Sequence, residues 1–190
     1  MRTRNQRRTA LALPWLVLLV AACSSSGASV SASASNVPAP VQATDVEGRY
    51  ELMFTLPRDT WRSGESIEGE ARLSLSDGPA ETLYGSGTGM LAFSFREVTG
   101  TRSVVPAVTA DCAPHPIAPD APIVTPIVKS GGWAEGEPHA DFVRSFLNGP
   151  GIRLPAGDWD IVVTARFDDG ETCTASPRSL ETGVRIRVTD

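Results

Sequence analysis

From residue 49 onward the chain keeps returning to one pattern, in which apolar and polar residues alternate one for one. In "RYELMFTLP", Tyr50, Leu52, Phe54 and Leu56 share one face while Glu51 and Thr55 share the other, and Pro57 ends the run. Period-two alternation is the mark of a strand with one buried face. In "ESIEGEARLSLSDG", Ile67, Ala71, Leu73 and Leu75 alternate with Glu68, Glu70, Arg72 and Ser74, and Asp77-Gly78 supplies a turn. In "GMLAFSFREVTG", Leu91, Phe93 and Phe95 oppose Ala92, Ser94 and Arg96. The longest run is "GDWDIVVTARFDDGETC": Trp159, Ile161, Val163, Ala165 and Phe167 form its apolar face, Asp160, Thr164, Arg166 and Asp168 its polar one, and Asp169-Gly170 predicts a hairpin turn leading to Cys173. "GVRIRV" closes the chain with Val184, Ile186 and Val188 against Arg185 and Arg187. Short alternating segments punctuated by Gly, Pro and Asp predict an antiparallel sandwich.

Three stretches depart from that pattern. In "HADFVRSFLNGPG", Phe142, Val143, Phe146 and Leu147 recur at helical spacing before Asn148-Gly149-Pro150, predicting one short helical segment that connects the two sheets. Five prolines, at 114, 116, 119, 122 and 126, exclude a central strand because proline has no amide donor. The expectation there is a long loop or an irregular edge, with residues 123–128 returning to extended form. Gly85, Gly87 and Gly89 precede a strand and not the helix that a dinucleotide-phosphate loop requires, so they predict a glycine-rich hairpin or bulge.

The beginning of the chain has a different organisation. Arg2, Arg4, Arg7 and Arg8 form a positive head, and residues 10–22 are almost wholly apolar, the order of an export signal. Thirteen residues are too few to span a bilayer, which takes about 20. Val20-Ala21-Ala22-Cys23 resembles the lipobox of bacterial lipoproteins. The resemblance implies diacylglycerol on the Cys23 thiol, cleavage that leaves Cys23 as the first residue, and acylation of its amine. Two or more acyl chains give a stable anchor where one gives reversible attachment. Residues 24–40 are small, uncharged and proline-containing, the composition of a tether. The predicted organisation is a signal peptide over 1–22, a lipidated cysteine and tether over 23–42, and a sandwich over 43–190. Ser24 differs from the aspartate that retains some lipoproteins at an inner membrane.

Removing the signal changes the charge and the cysteine count. Four of the 17 basic residues precede Cys23, leaving 13 against 22 acidic ones, a formal net charge of −9. An acidic surface without basic runs argues against nucleic acid as a partner. With Cys23 lipidated, Cys112 and Cys173 remain to form a disulfide, which persists outside the cytoplasm; two buried thiols or a metal pair are the alternatives. His115 and His139 lack the spacing to complete a metal site.

Two further stretches carry a resemblance. "WRSGESIEGEARLSLSDG" is similar to the opening of bacterial extracellular immunoglobulin-like domains, and "LPAGDWDIVVTARF" to their late turn and strand. The fold this implies is an all-β, antiparallel immunoglobulin-like β-sandwich. No tyrosine stands two residues before Cys173, a departure from antibody-type domains.

Chemistry is sparse along the chain. Neither histidine belongs to a nucleophile elbow. Asp158, Asp160, Asp168, Asp169 and Glu171 gather around one hairpin and predict a solvated acidic rim; a weak calcium site is the alternative, although the spacing does not match a calcium loop. Trp159 begins a core-facing series and Trp61 reads as packing at the sandwich edge. Trp133, in a polar glycine-containing loop, is the candidate contact residue, because rings offered from loops anchor binding surfaces. No catalytic residue, metal ligand or cofactor is assigned. The expected role is a lipid-anchored cell-envelope binding or structural module, held to the membrane through its lipid. Its partner, an envelope protein or polymer, would meet residues 114–126 and 131–138. The competing expectation is an envelope hydrolase whose acids and histidine are far apart in sequence.

Overall fold

The structure, a computed structural model, describes residues 39–170, 172–174 and 176–190. Cys23 with its signal, most of the tether, and Glu171 lie outside the described residues. Eleven strands and one helix follow in order: β1 (Val41–Glu47), β2 (Tyr50–Leu56), β3 (Thr60–Arg62), β4 (Glu70–Leu75), β5 (Glu81–Gly85), β6 (Leu91–Glu97), β7 (Ser103–Val104), β8 (Ala113–Ile117), β9 (Ile123–Pro126), α1 (Ala140–Asn148), β10 (Gly157–Asp168) and β11 (Pro177–Thr189). They build an all-β sandwich. One sheet has the order β1-β2-β4-β9; the other runs from β3 through β11 to β10, whose far side carries both β5 and β6, with β8 beside β5 and β7 beside β6. Every pairing is antiparallel except that of β3 with β11.

The alternating residues form the core. Leu52, Phe54 and Leu56 of one sheet face Phe93, Phe95, Trp159, Ile161 and Val163 of the other, all with at most 1% of their surface exposed. At about 25 cal/mol per Å² of apolar area removed from water, these faces are what hold the two sheets together. β10 and β11 pair over twelve positions, from Gly157 with Val188 to Asp168 with Pro177, and form the backbone of the second sheet.

The proline-rich segment supplies an edge to each sheet. β8 borders the second sheet and β9 the first, joined by a tight turn in which Ala118 and Ala121 exchange backbone hydrogen bonds. Pro114 and Pro116 sit opposite Tyr84 and Thr82. Lacking N–H groups, they take the outward-pointing positions of β8 and leave its ladder to Ala113, His115 and Ile117. An edge without outward donors resists pairing with another chain.

Helix α1 connects β9 of one sheet to β10 of the other and covers one end of the core. Val143 and Phe146 are buried, with Phe146 4.9 Å from the Phe95 ring and Phe142 5.7 Å from Trp159. Trp159 donates its indole N–H to the Pro155 carbonyl at 2.9 Å. Lys129, the only lysine of the chain, donates to the carbonyls of Phe146 (2.8 Å) and Gly149 (2.5 Å). A cation there satisfies last-turn carbonyls and opposes the helix dipole; burial pushes its pKa down.

Four expectations change. The sandwich begins at Val41, two residues inside the predicted tether. Asp169-Gly170 is not a two-residue hairpin turn, because β10 ends at Asp168 and β11 begins only at Pro177. Asp168, expected in solvent, is 1% exposed; its carboxylate accepts the N–H groups of Gly170 (2.8 Å) and Ser176 (2.6 Å) and so fastens the β10–β11 loop. The glycine run at 85–89 is a bulge and not a hairpin, because β5 and β6 pair with β10 and not with each other.

Candidate functional site

The bulge is one of two excursions that leave the second sheet at the same level. Tyr84 pairs with Asp168 and Phe95 with Ile161, so six β10 residues, 162–167, face the ten residues 85–94. In the neighbouring lane Val104 pairs with Phe95 and Pro114 with Tyr84, so nine residues, 105–113, cover the same span. Both segments are longer than the sheet beneath them, and both bow out of it. The excess on the first side forms the loop 86–90; on the second it forms a strap, residues 105–112.

Polar contacts lock the two excursions together. The Thr109 hydroxyl lies 2.9 Å from that of Ser86 and accepts the Thr88 N–H at 3.3 Å, while Thr109 N–H donates to the Thr88 hydroxyl at 3.3 Å. Asp111 accepts the Gly87 N–H at 3.0 Å; hydrogen bonds from Thr109 and from Gly87 hold its carboxyl below the usual range. A Cβ on Gly87 would meet the Asp111 carboxylate and displace it from its hydrogen bond to the Gly87 N–H. At the end of the strap Cys112 is disulfide-bonded to Cys173 in the β10–β11 loop, with Cα atoms 5.9 Å apart.

Between the strap and the outer face of the sheet lies a groove of about 680 Å³. Its floor consists of short side chains, Ala92 and Ser94 from β6 and Thr164 from β10. Val105 and Val108, 72% and 53% exposed, form an apolar rim on the strap. Arg166, Arg178 and Glu181 line the opposite side. Arg178 is fixed there by Asp169 (2.6 Å) and by Glu47 of β1 (2.9 Å), which raise its pKa.

The residues singled out from sequence fall in three places. Cys112 and Cys173 close the groove at one end. Trp133 is 40% exposed, in the loop whose Gly131 packs within reach of the Val105 carbonyl at the foot of the strap. Trp61 is buried, beneath the Arg58 guanidinium at 4.1 Å. His115 lies on β8, and its Nε2 donates to the Ser86 carbonyl at 3.0 Å; a carbonyl only accepts, so this contact fixes the tautomer. His139, at φ 66°, has its Nε2 2.6 Å from the Thr101 hydroxyl, outside the groove.

The expected acidic rim does not form: Asp158 and Asp160 lie at one end of β10 and Asp168 and Asp169 at the other, with Asp168 buried and the other three paired with arginines. Asp158 meets Arg187 at 2.9 Å, and Asp160 meets Arg185 at 2.8 Å and Arg96 at 3.3 Å. Each of these arginines except Arg96 sits directly across the β10–β11 ladder from its acid, as cross-strand ion pairs require. Hydrogen bonds from Arg185 hold Asp160 below the usual carboxylate range. Among the described residues, no three His, Cys, Asp or Glu side chains gather as a metal cage would need. The groove itself was missed in sequence, because its floor is an ordinary polar strand face. The glycine run and Pro106 were the only signals that the lanes leave the sheet there.

No protein-family model matches the chain, and no curated protein is significantly similar to it in sequence.

Proposed function

We propose that this chain is a lipid-anchored, extracytoplasmic binding module with an immunoglobulin-like sandwich, and that it takes its partner in the groove beneath the strap. The lipobox-like segment ending at Cys23 supports the anchor. The strand order supports the immunoglobulin-like reading. By chain order β2-β4-β9 and β6-β10-β11 correspond to the A-B-E and C-F-G strands of such domains, with β3 crossing from the first sheet to pair with the last strand.

The observation that carries the binding reading is the strap: a segment longer than its lane, fastened at both ends, that holds an apolar rim off a floor of small side chains. Loops fixed on a rigid sheet are common carriers of recognition. The groove opens toward the pole of the sandwich where β10 ends and β11 begins. Val41, where the chain enters the fold, pairs with Leu56 at the opposite pole. With β10 rising about 3.3 Å per residue, the poles stand about 35–40 Å apart, so an anchored module would offer the groove away from its attachment.

Two measurements test this reading separately. Native protein should incorporate palmitate and partition into detergent, and Cys23→Ser should do neither; a secreted, unlabelled native protein would refute the anchor. A photo-crosslinking residue at Val108 should capture one envelope component that the same residue at Val46, on the other sheet, does not. Identical products from both positions would refute the groove as the binding surface.

A further inference from the structure

The backbone hydrogen bonds around β6 show that its sheet is missing a piece of strand. Val98 N–H donates to Asp158 at 2.9 Å and Arg166 N–H to Met90 at 3.3 Å, so the even-numbered residues 90–98 direct their main-chain groups toward β10. The odd-numbered ones direct theirs the other way, as Glu97 does in donating to Arg102 at 2.9 Å, and Phe95 pairs with Val104. The next outward residue is Phe93, and the register places Pro106 opposite it. Proline has no N–H to give; β7 ends at Val104 and the strap lifts away. Among the described residues, no main-chain or side-chain group bonds the outward N–H and C=O of Leu91 and Phe93.

We infer that the groove takes an extended segment of a partner protein, which adds as a short strand along β6 at Leu91 and Phe93 and fills the lane between β7 and β8. This rests on the groove being the binding surface and names what enters it. The vacant lane is four residues long, Leu91 to Ser94, or about 13 Å at strand rise. Its donors and acceptors recur every second residue, the repeat of a peptide backbone, which neither a glycan nor an acyl chain shares. Strand addition of this kind draws affinity from the main chain and selectivity from alternate side chains. One face of the added strand would lie over Ala92 and Ser94 against Val105 and Val108, which suits small or aliphatic side chains. Proline is excluded at the positions paired with Leu91 and Phe93.

The probe is a phage-displayed library of random twelve-residue peptides, selected on the intact, disulfide-bonded mature chain. Selected peptides should bind native protein and lose binding to Ser94→Arg, which blocks the groove floor from a half-exposed position and whose fold is checked by circular dichroism. N-methylation of the peptide should weaken binding about tenfold or more at every second residue and little between them. The amides of Leu91 and Phe93 should exchange quickly in the free protein and become protected with peptide bound. Peptides that require the open groove but show no alternation under N-methylation would overturn strand addition and leave groove binding standing. Protection of both amides in the free protein would overturn it as well. Failure to obtain any peptide sensitive to Ser94→Arg would overturn both readings together.

Discussion

Replacing Cys112 and Cys173 by serine removes a link that closes a loop of 61 residues. In the chain-entropy description the lost constraint amounts to about 4 kcal/mol at 25 °C, a large part of the about 5–15 kcal/mol by which a domain this size is stable. The structure indicates where that effect falls. Asp168 still fastens the β10–β11 loop through Gly170 and Ser176, and Thr109 and Asp111 still fasten the strap to residues 86–88. The native sandwich should therefore survive while the unfolded chain gains freedom. Urea unfolding followed by tryptophan fluorescence should show the stability falling by about 4 kcal/mol with a larger m-value, as the unfolded ensemble expands. Amide protection in β2, β6 and β10 under native conditions should persist. A loss below about 1 kcal/mol, or a full-sized loss accompanied by collapse of native protection in β10, would refute the assignment of the effect to the unfolded chain.

Trp159→Phe deletes the indole donor to Pro155 within a fully buried site and should cost about 1–3 kcal/mol, while Trp159→Ala should cost about 3–5 kcal/mol; equal costs by urea unfolding would show that the hydrogen bond carries the whole effect. Glu97, held low by its hydrogen bonds from Arg102, and Asp160, held low by those from Arg185, contribute stability that is present above their unfolded values near pH 4 and lost as pH falls through the lower folded values. The urea midpoint should drop below about pH 4, and the drop should be smaller in the Glu97→Gln, Asp160→Asn double variant; an unchanged acid limb would refute their role. Burial, then the hydrogen bond to Glu81, pushes the Tyr50 phenol up to about 12. Its neutral form is thus favoured by the fold, and the stability it contributes is present below about pH 10 and lost as pH rises toward 12. Phenolate absorbance should show one step near pH 12 that Tyr50→Phe removes; survival of that step in the variant would reject the assignment.

Much of the fold was legible because burial writes itself into period two. β2, β6 and β10 alternate in the sequence and alternate in burial in the same register, and the spacing of Phe142, Val143 and Phe146 marked the helix. β1 was invisible for a physical reason. Its inward positions end in Asp45 and Glu47, which meet the Glu181 N–H (2.9 Å) and Arg178 across the sheet edge, so its half-buried face carries charge where the pattern expects apolar residues. Asp168 misled in the same manner, since a carboxylate that satisfies two amides can be buried on a position that alternation assigns to solvent. The candidate groove depends on register. Whether residues 105–113 fit their lane can be judged only when Phe95, Val104, Tyr84 and Pro114 are known to pair, and no local signal carries that long-range information. Trp133 was visible as an exposed ring, and its neighbour at the foot of the strap was not.

Were the chain anchored at one end and gripped at the other, as proposed, it would work under tension, and the Cys112–Cys173 bond would determine how that tension travels. A load applied to the strap meets only the two residue pairs of β7 on one side, a ladder that would peel open one bond at a time. Through Cys112 the same load passes covalently to the tip of the β10–β11 hairpin, whose twelve pairs share it lengthwise. The 61-residue separation also withholds about 200 Å of contour from any extension, at about 3.3–3.6 Å per residue. Pulled between Val41 and the strap, the sandwich would yield first at the seven-residue edge strand β1, where the chain enters, and the groove would keep its shape while the anchor side lengthens.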